Sequence, residues 1–245
     1  MDNVRDFIAK NIALMLHDGD FVNLGIGIPT LVANHIPEGV QVILHGENGF
    51  AGQGKVLPIT GIHKDEETYR AWLREHGGEQ TDHRSEEGHR DLINAGGFYI
   101  TLLPIASCFD SSISFAMARG GHLDATVLGG LQVDRNGNLA NWMVPGKKIN
   151  GMGGAMDLAC GAKRVIVAME HCARDGRPKI LEECEMPLTA IECVDTVVTE
   201  KCIITIEDKK LIVTAMAPGI TREELQAATG AKLDFAPRVG LMEGV

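Results

Sequence analysis

The sequence predicts an open, mostly parallel α/β sheet flanked by helices. Three observations carry that expectation. Short apolar runs alternate with stretches of helical periodicity, as in β-α-β units. Several runs, among them QVILHG (41–46) and KRVIVAME (163–170), are apolar almost throughout, as strands buried on both faces are. Glycine fills 29 of 245 positions, well above an average near 7%, without the Gly-X-Y period of collagen. Such a surplus in a packed chain means tight turns or backbone loops that approach a ligand closely.

Val4, Ile8, Ile12 and Met15 recur at helical spacing and Gly19 supplies a stop, so residues 3–17 read as an amphipathic helix. FVNLG (21–25) is the first strand. Gly25-Ile26-Gly27-Ile28-Pro29 is a tight loop, and Pro29 suits the first turn of a helix over TLVANHI. QVILHG is the second strand, ending at Glu47-Asn48-Gly49. FYITLLP (98–104) is the third and ATVLGGLQV (125–133) the fourth. KRVIVAME is the fifth, after a helix around GGAMDLAC. TAIECVDTVVTE (189–200) and IITIEDKKLIVT (203–214) read as later strands, with a hairpin turn at Glu207–Lys210. Thr221 and Glu224 form a capping box for a last helix through Ala228. A single domain over residues 1–245 is expected. It is interrupted by a charged insertion at about 63–91, whose 9 acidic and 5 basic side chains and four histidines suit an exposed helix and loop.

Hydrophobic residues at 44% and charged residues at 23% are ordinary for a folded chain. A net charge of −10 argues against a protein that coats nucleic acid or an anionic membrane. The six cysteines form no C-x-x-C pair, and the insertion histidines lack ligand spacing, so no metal site is expected. No signal peptide or membrane-spanning run is visible, and free thiols fit a reducing cytoplasm.

Three segments are candidates for chemistry. Gly25 and Gly27 open like a dinucleotide fingerprint, but Thr30 stands where its third glycine belongs. What remains is either a plain βα turn or a loop whose N–H groups face a ligand's negative charge. In HGENGFAGQG (45–54), Glu47 follows an apolar strand amid Gly46, Gly49, Gly52 and Gly54. Ligands of open α/β sheets bind beyond the carboxyl ends of strands. There a partly desolvated glutamate can serve as base or nucleophile; it can equally cap a turn. In the third segment, 138–158, Gly146, Gly151, Gly153 and Gly154 precede a helix and can present an oxyanion hole or simply allow close packing. His122 reads as structural.

In order, NLGIGIPTLVANHIP, GENG, DLINAGG, TLLP, SFAMARGGHLDATVLGGLQV, GNLANWMVPGK and GMGGAMDL, within residues 22–158, resemble the β subunit of class I (3-oxoacid) coenzyme A transferases. Weaker similarity continues through PLTA to the C-terminus. The resemblance implies the CoA-transferase (NagB/RpiA-like) fold, with Glu47 as nucleophile and the backbone of Gly154 as a donor near the reacting thioester. It also implies contacts to CoA or substrate from Gly25, Gly27, Ile28, Pro29, Asn48, Gly49, Gly151, Met152 and Gly153. An α subunit would complete the site. Acyl-CoA and small carboxylic acids would be the substrates, with CoA a co-substrate and no metal or prosthetic group. CoA would pass through a glutamyl-CoA thioester in ping-pong fashion, a 3-oxoacid being the expected partner of acetate, butyrate or succinate. Two features depart from the family's pattern. Gly46, preceded by His45, replaces the usual serine before the glutamate, and the 63–91 insertion is unusually long. A CoA-ester hydrolase or ring-opening enzyme on the same fold, or a non-catalytic ligand-sensing subunit, are the alternatives.

Overall fold

The computed structural model describes residues 4–56, 92–97, 99–146 and 151–243; the acidic insertion at 63–91 lies outside them. The chain opens with α1 (Val4–Ala13), β1 (Phe21–Leu24) and a single turn, α2 (Ile28–Leu31), extended as a 3-10 helix over Val32–Asn34. β2 (Ile43–Gly46), β3 (Phe50–Val56) and β4 (Ile100–Cys108) follow, then α3 (Ser111–Arg119) and β5 (Ala125–Gly129). Two short strands, β6 (Gln132–Asp134) and β7 (Leu139–Ala140), precede α4 (Ala155–Gly161) and β8 (Val165–Ala168). The remainder is β9 (Ile180–Leu181), β10 (Thr196–Val198), β11 (Cys202–Glu207), β12 (Lys210–Met216), α5 (Arg222–Ala227) and β13 (Leu233–Leu241).

Ten strands form one sheet in the order β13-β12-β11-β10-β8-β5-β1-β2-β3-β4, and β7-β6-β9 form a second. The central five, β10-β8-β5-β1-β2, pair in parallel throughout. Antiparallel pairs begin at β3 on one side and β11 on the other, and the outermost pair β12–β13 is again parallel. From β1 the chain crosses to β2 on one side, while β5 occupies the other. The two connections diverge at the carboxyl ends of β1 and β5, the place where an open α/β sheet leaves a crevice.

Strand alternation sorts the core into two layers. Val22, Leu44, Ala125, Val127, Ile166, Ala168 and Val198 meet Ile8 and Ile12 of α1 on one face. Leu128, Val165, Val167 and Val197 meet Ala118 of α3 and Leu158 and Ala159 of α4 on the other. Those central strands are apolar on both sides because helices cover both.

Several boundaries differ from the sequence reading. ATVLGGLQV is two strands in two sheets: Gly130 packs against Val167 and Met169, and the chain turns there. Residues 50–56, given no element in the sequence reading, form β3. The third predicted strand is antiparallel and runs on to Cys108. Within 189–200 only Thr196–Val198 is strand. α3 and β13 are additional to the elements the sequence predicts. The Glu207–Lys210 hairpin is present, with Asp208 and Lys209 both at positive φ, as is the reciprocal Thr221–Glu224 capping box.

Two histidines are buried among partners. His171 is wholly buried, with Nδ1 3.0 Å from Thr199 Oγ1 and Nε2 2.9 Å from Thr229 Oγ1. Burial, reinforced by Lys201 and Lys179, pulls its pKa from 6.5 down to about 4. Burial does the same to His45, to about 4, partly opposed by the contact with Ser114. Both rings stay neutral in the fold, whereas the unfolded chain takes up protons near pH 6.5. Their contribution is complete above that pH and is lost as pH falls toward 4, by up to about 1.4 kcal/mol per pH unit per ring. Urea midpoints measured from about pH 7.5 to 4.5 are expected to fall across this window. His171→Gln should flatten the fall by about half; an unchanged slope in that variant would contradict the assignment.

Candidate active site

The site begins with the hairpin between β2 and β3. His45 pairs with Ala51 and Gly46 with Phe50, so Glu47, Asn48 and Gly49 are its three-residue loop. Gly49 N–H donates to Gly46 O at 2.9 Å, and Phe109 N–H donates to Gly49 O at 2.9 Å. Gly49 adopts φ 128°, and a Cβ there would run into the carbonyl oxygen of Phe109. Only glycine fits this corner, and the corner sets the direction in which Glu47 points.

Glu47 is half-buried. Asn23 Nδ2 donates to its Oε2 at 3.0 Å, and also lies 3.2 Å from His45 O and 3.3 Å from His45 Nδ1. Asn23 and His45 are register partners on adjacent strands, and Thr126 on β5 continues the row. All three are buried, on the face covered by α3 and α4. From α3, Ser114 Oγ lies 2.8 Å from His45 Nε2 and 3.1 Å from Gly46 O. Asp110 caps that helix by accepting from Ser112 N–H, and the cap holds the Asp110 carboxyl below its usual range.

Opposite Glu47 stands the glycine run before α4. Gly154 is the N-cap residue of that helix. A Cβ on it would meet the Phe115 ring at 2.8 Å and Glu47 Cγ at 3.5 Å. The bare backbone of Gly154 can therefore lie against the glutamate stem, where a larger residue would be forced onto Phe115.

Between these walls is a cavity of about 350 Å³. Glu47, Gly25, Gly151, Met152, Gly153 and Gly154 line it, together with Ile26, Leu128–Leu131, Asn141, Trp142, Ala155 and Leu158. It opens at the crevice between the carboxyl ends of β1 and β5. Asn141 is fixed in its wall by Nδ2 donating to Gly129 O at 3.2 Å and by the Thr189 hydroxyl donating to Oδ1 at 2.6 Å. On its other flank Glu47 borders a smaller recess formed by Leu24, Thr30, Leu44, His45, Gly46, Gln53 and Asn94–Gly96.

Six of the eleven residues singled out in the sequence thus meet in one cavity. The other five do not line it. Gly27 is the N-cap of α2, Pro29 is a buried residue of its first turn, and Ile28 packs toward the α1 layer. Asn48 is exposed and donates from Nδ2 to Ile93 O at 2.8 Å; Gly49 faces Phe109. His122 is exposed and outside the lining. Sequence reasoning gave no role to Asn23, Ser114, Asn141 and Trp142, and noted His45 only as the residue before Gly46. The signal for Asn23 and His45 was a polar residue inside an otherwise apolar strand. Gly46 has a structural consequence: the Phe50 ring occupies the space a side chain would need. Among the described residues no His, Cys, Asp and Glu cluster is arranged to hold a metal ion, and no helix is long and apolar enough to cross a membrane.

Residues 5–228 match the family model described as Coenzyme A transferase. The chain belongs to the coenzyme A transferase family. This transferase is 47% identical over 242 residues to a protein of Escherichia coli K12 named acetate CoA-transferase subunit beta, covering 99% of both chains. It is 41% identical to the human mitochondrial succinyl-CoA:3-ketoacid coenzyme A transferase 2, covering all of this chain but 43% of that one. Among solved structures, an acyl-CoA transferase (YdiF) apoenzyme from Escherichia coli O157:H7 matches with a TM-score of 0.71 at 20% identity. That match covers 98% of this chain and 43% of the other. The fold is therefore that of CoA transferases, as the sequence motifs implied.

Gly49→Ala places a Cβ against Phe109 O and imposes a left-handed φ on alanine. A loss of about 1–3 kcal/mol in urea unfolding is expected; wild-type stability would show that the corner is not constrained as described.

Proposed function

We propose that this chain is the β subunit of an enzyme that moves coenzyme A between an acyl-CoA and a carboxylic acid, through a glutamyl-CoA thioester on Glu47. One observation carries the reading. A carboxylate projects from a fixed turn into a cavity walled by apolar side chains and bare glycine backbone, with an amide donor already on its Oε2.

In this cycle Glu47 attacks the thioester carbon, the C–S bond breaks, and CoA leaves as thiolate with an acyl–glutamyl anhydride behind it. The thiolate adds to the glutamyl carbonyl and expels the first carboxylate. The resulting glutamyl-CoA thioester is attacked by the second acid, giving a new anhydride and thiolate. The thiolate takes the new acyl group and frees Glu47. No water enters the balance and the thioester bond energy is conserved. Splitting one difficult exchange into such steps is nucleophilic catalysis.

A carboxylate is a weak nucleophile, so positioning and charge stabilisation must supply the rate. Binding of the long CoA moiety can be spent on orienting the thioester. The backbone N–H of Gly154 can stabilise the oxyanion on the substrate carbonyl; loss of one such donor typically costs about 2.7–4 kcal/mol. Asn23 Nδ2 faces the glutamyl oxygen when thiolate adds there. Leu128, Leu131, Trp142 and Leu158 suit a site that must exclude water.

The bacterial relative named as a β subunit supports an α-subunit partner. So does the human relative, in which sequence like this chain fills 43% of a longer polypeptide. Their names support acetate, succinate and 3-ketoacids as the acid class, with acetoacetate our choice of 3-oxoacid and the cytoplasm our choice of compartment. CoA is the co-substrate, and no metal or prosthetic group has a step to perform.

Glu47→Gln in the assembled complex is expected to leave assembly intact and lower transfer about ten-thousand-fold or more. Near-normal turnover would refute the nucleophile. Wild-type enzyme given acetoacetyl-CoA should consume more than one equivalent per site only when an acceptor acid is present, with parallel-line kinetics. Equal consumption without acceptor would make the enzyme a hydrolase.

A further inference from the structure

We propose that His45 is a positioning residue for Glu47, acting by fixing which end of the Asn23 side-chain amide faces the carboxylate. The proposal rests on the reading of Glu47 as nucleophile and adds a residue and a mode of action to it.

The hydrogen-bond directions leave little freedom. An ionised carboxylate only accepts, so Asn23 presents Nδ2 to Glu47 Oε2 at 3.0 Å. The same Nδ2 lies 3.3 Å from His45 Nδ1, and an amide nitrogen only donates. Nδ2 has two hydrogens to share among Glu47 Oε2, His45 O at 3.2 Å and His45 Nδ1, and an N–H on Nδ1 would point at this donor. Nδ1 is therefore the bare nitrogen of a neutral ring, and the ring proton sits on Nε2. From there it is donated to Ser114 Oγ, 2.8 Å away. That hydroxyl is then free to donate its own proton to Gly46 O at 3.1 Å. The chain of donors runs one way, from Asn23 through the imidazole and Ser114 to the peptide carbonyl that precedes Glu47. The same carbonyl accepts from Gly49 N–H and closes the turn. One ring thus touches both supports of the glutamate, its carboxylate through Asn23 and its backbone through Ser114.

The ring adds to the hold that the carboxylate and the His45 carbonyl have on the amide nitrogen. Asn23 Oδ1 is buried and has no hydrogen-bond partner among the described residues. The oxygen therefore provides no hydrogen bond that opposes rotation of the amide by half a turn. Rotated, Oδ1 would face three acceptors, the Glu47 carboxylate, the His45 carbonyl and the Nδ1 lone pair, and the donor would be lost from the nucleophile. A bare Nδ1 penalises that rotation, whereas an Nδ1–H ring would reward it. The ring itself is held in place. Phe21 meets it edge-on with centroids 5.2 Å apart, Phe109 stacks at 6.4 Å, and only 4% of His45 is exposed. A structural histidine would need its two nitrogens satisfied; it would not need one of them aimed at the donor of a reactive carboxylate.

The test uses the assembled α/β complex with acetoacetyl-CoA, measuring kcat, KM and the rate of thioester formation on Glu47. His45→Leu is expected to lower kcat and thioester formation about 10- to 100-fold, with KM for acyl-CoA within about twofold. His45→Gln, which again offers one acceptor and one donor, should recover to within about fivefold of wild type. In an Asn23→Ala background, His45→Leu should cost little more, because its effect passes through that amide. Losses that multiply across the two positions, or a glutamine variant as impaired as leucine, would overturn the proposal. If His45→Leu does not assemble, His45→Phe, which keeps the ring packing without Nδ1, in the presence and absence of Asn23→Ala poses the same question, with the same two outcomes. Failure of the underlying reading looks different: no thioester would form on Glu47 in the wild-type complex at all.

Discussion

The hydrogen bond from Asn23 to Glu47 is the interaction on which the rest of the site depends. A glutamate side chain has three rotatable bonds, and a nucleophile that sweeps through them is rarely in line with its target. Here the backbone is pinned by a three-residue turn and the carboxylate by one buried donor. The donor comes from the strand next door, so its position is set by the parallel register of β1 with β2. Shifting that register by one residue would send Asn23 into the α1 layer and leave Glu47 without it.

Placing polar groups this deep has a cost that the fold meets by pairing them. Asn23, His45 and Ser114 satisfy one another and the Gly46 carbonyl, leaving Asn23 Oδ1 and Thr126 Oγ1 as the buried side-chain atoms without partners among the described residues. These two belong to register partners on adjacent strands, directly beneath the carboxyl ends where the cavity opens. Local imperfection of this kind is tolerable because the apolar layers on both faces of the central strands are well formed, and because the polar row positions reactive atoms rather than the core.

The central fold was legible because continuous apolar strands have one common explanation, burial on both faces by helices. The margins were not. β3 is rich in glycine and is given no element from sequence, yet it is held as a strand by β2 and β4, neighbours distant in sequence in the second case. The fourth predicted strand splits at Gly130, where Val167 and Met169 leave no room for a side chain, a tertiary fact with no local pattern. In the site, Glu47 and the Gly151–Gly154 run could be found from motif and resemblance. The groups that hold them could not: Asn23 and His45 lie inside apolar runs, and Ser114 comes from a helix that gave no chemical signal. Their meeting is a product of strand register and helix packing. The placement of Gly27, Ile28, Pro29 and Asn48 away from the cavity has the same origin, since motif membership does not say which side of a turn faces the ligand.

The central claim is that CoA is carried on Glu47. Its most direct test is peptide mass analysis of the assembled complex after brief exposure to acetoacetyl-CoA without acceptor. The account predicts that the peptide containing Glu47 gains the mass of CoA as a hydroxylamine-labile thioester, discharged when an acceptor acid is added. Transfer that proceeds with this peptide unmodified, or with the adduct on another residue, would contradict it.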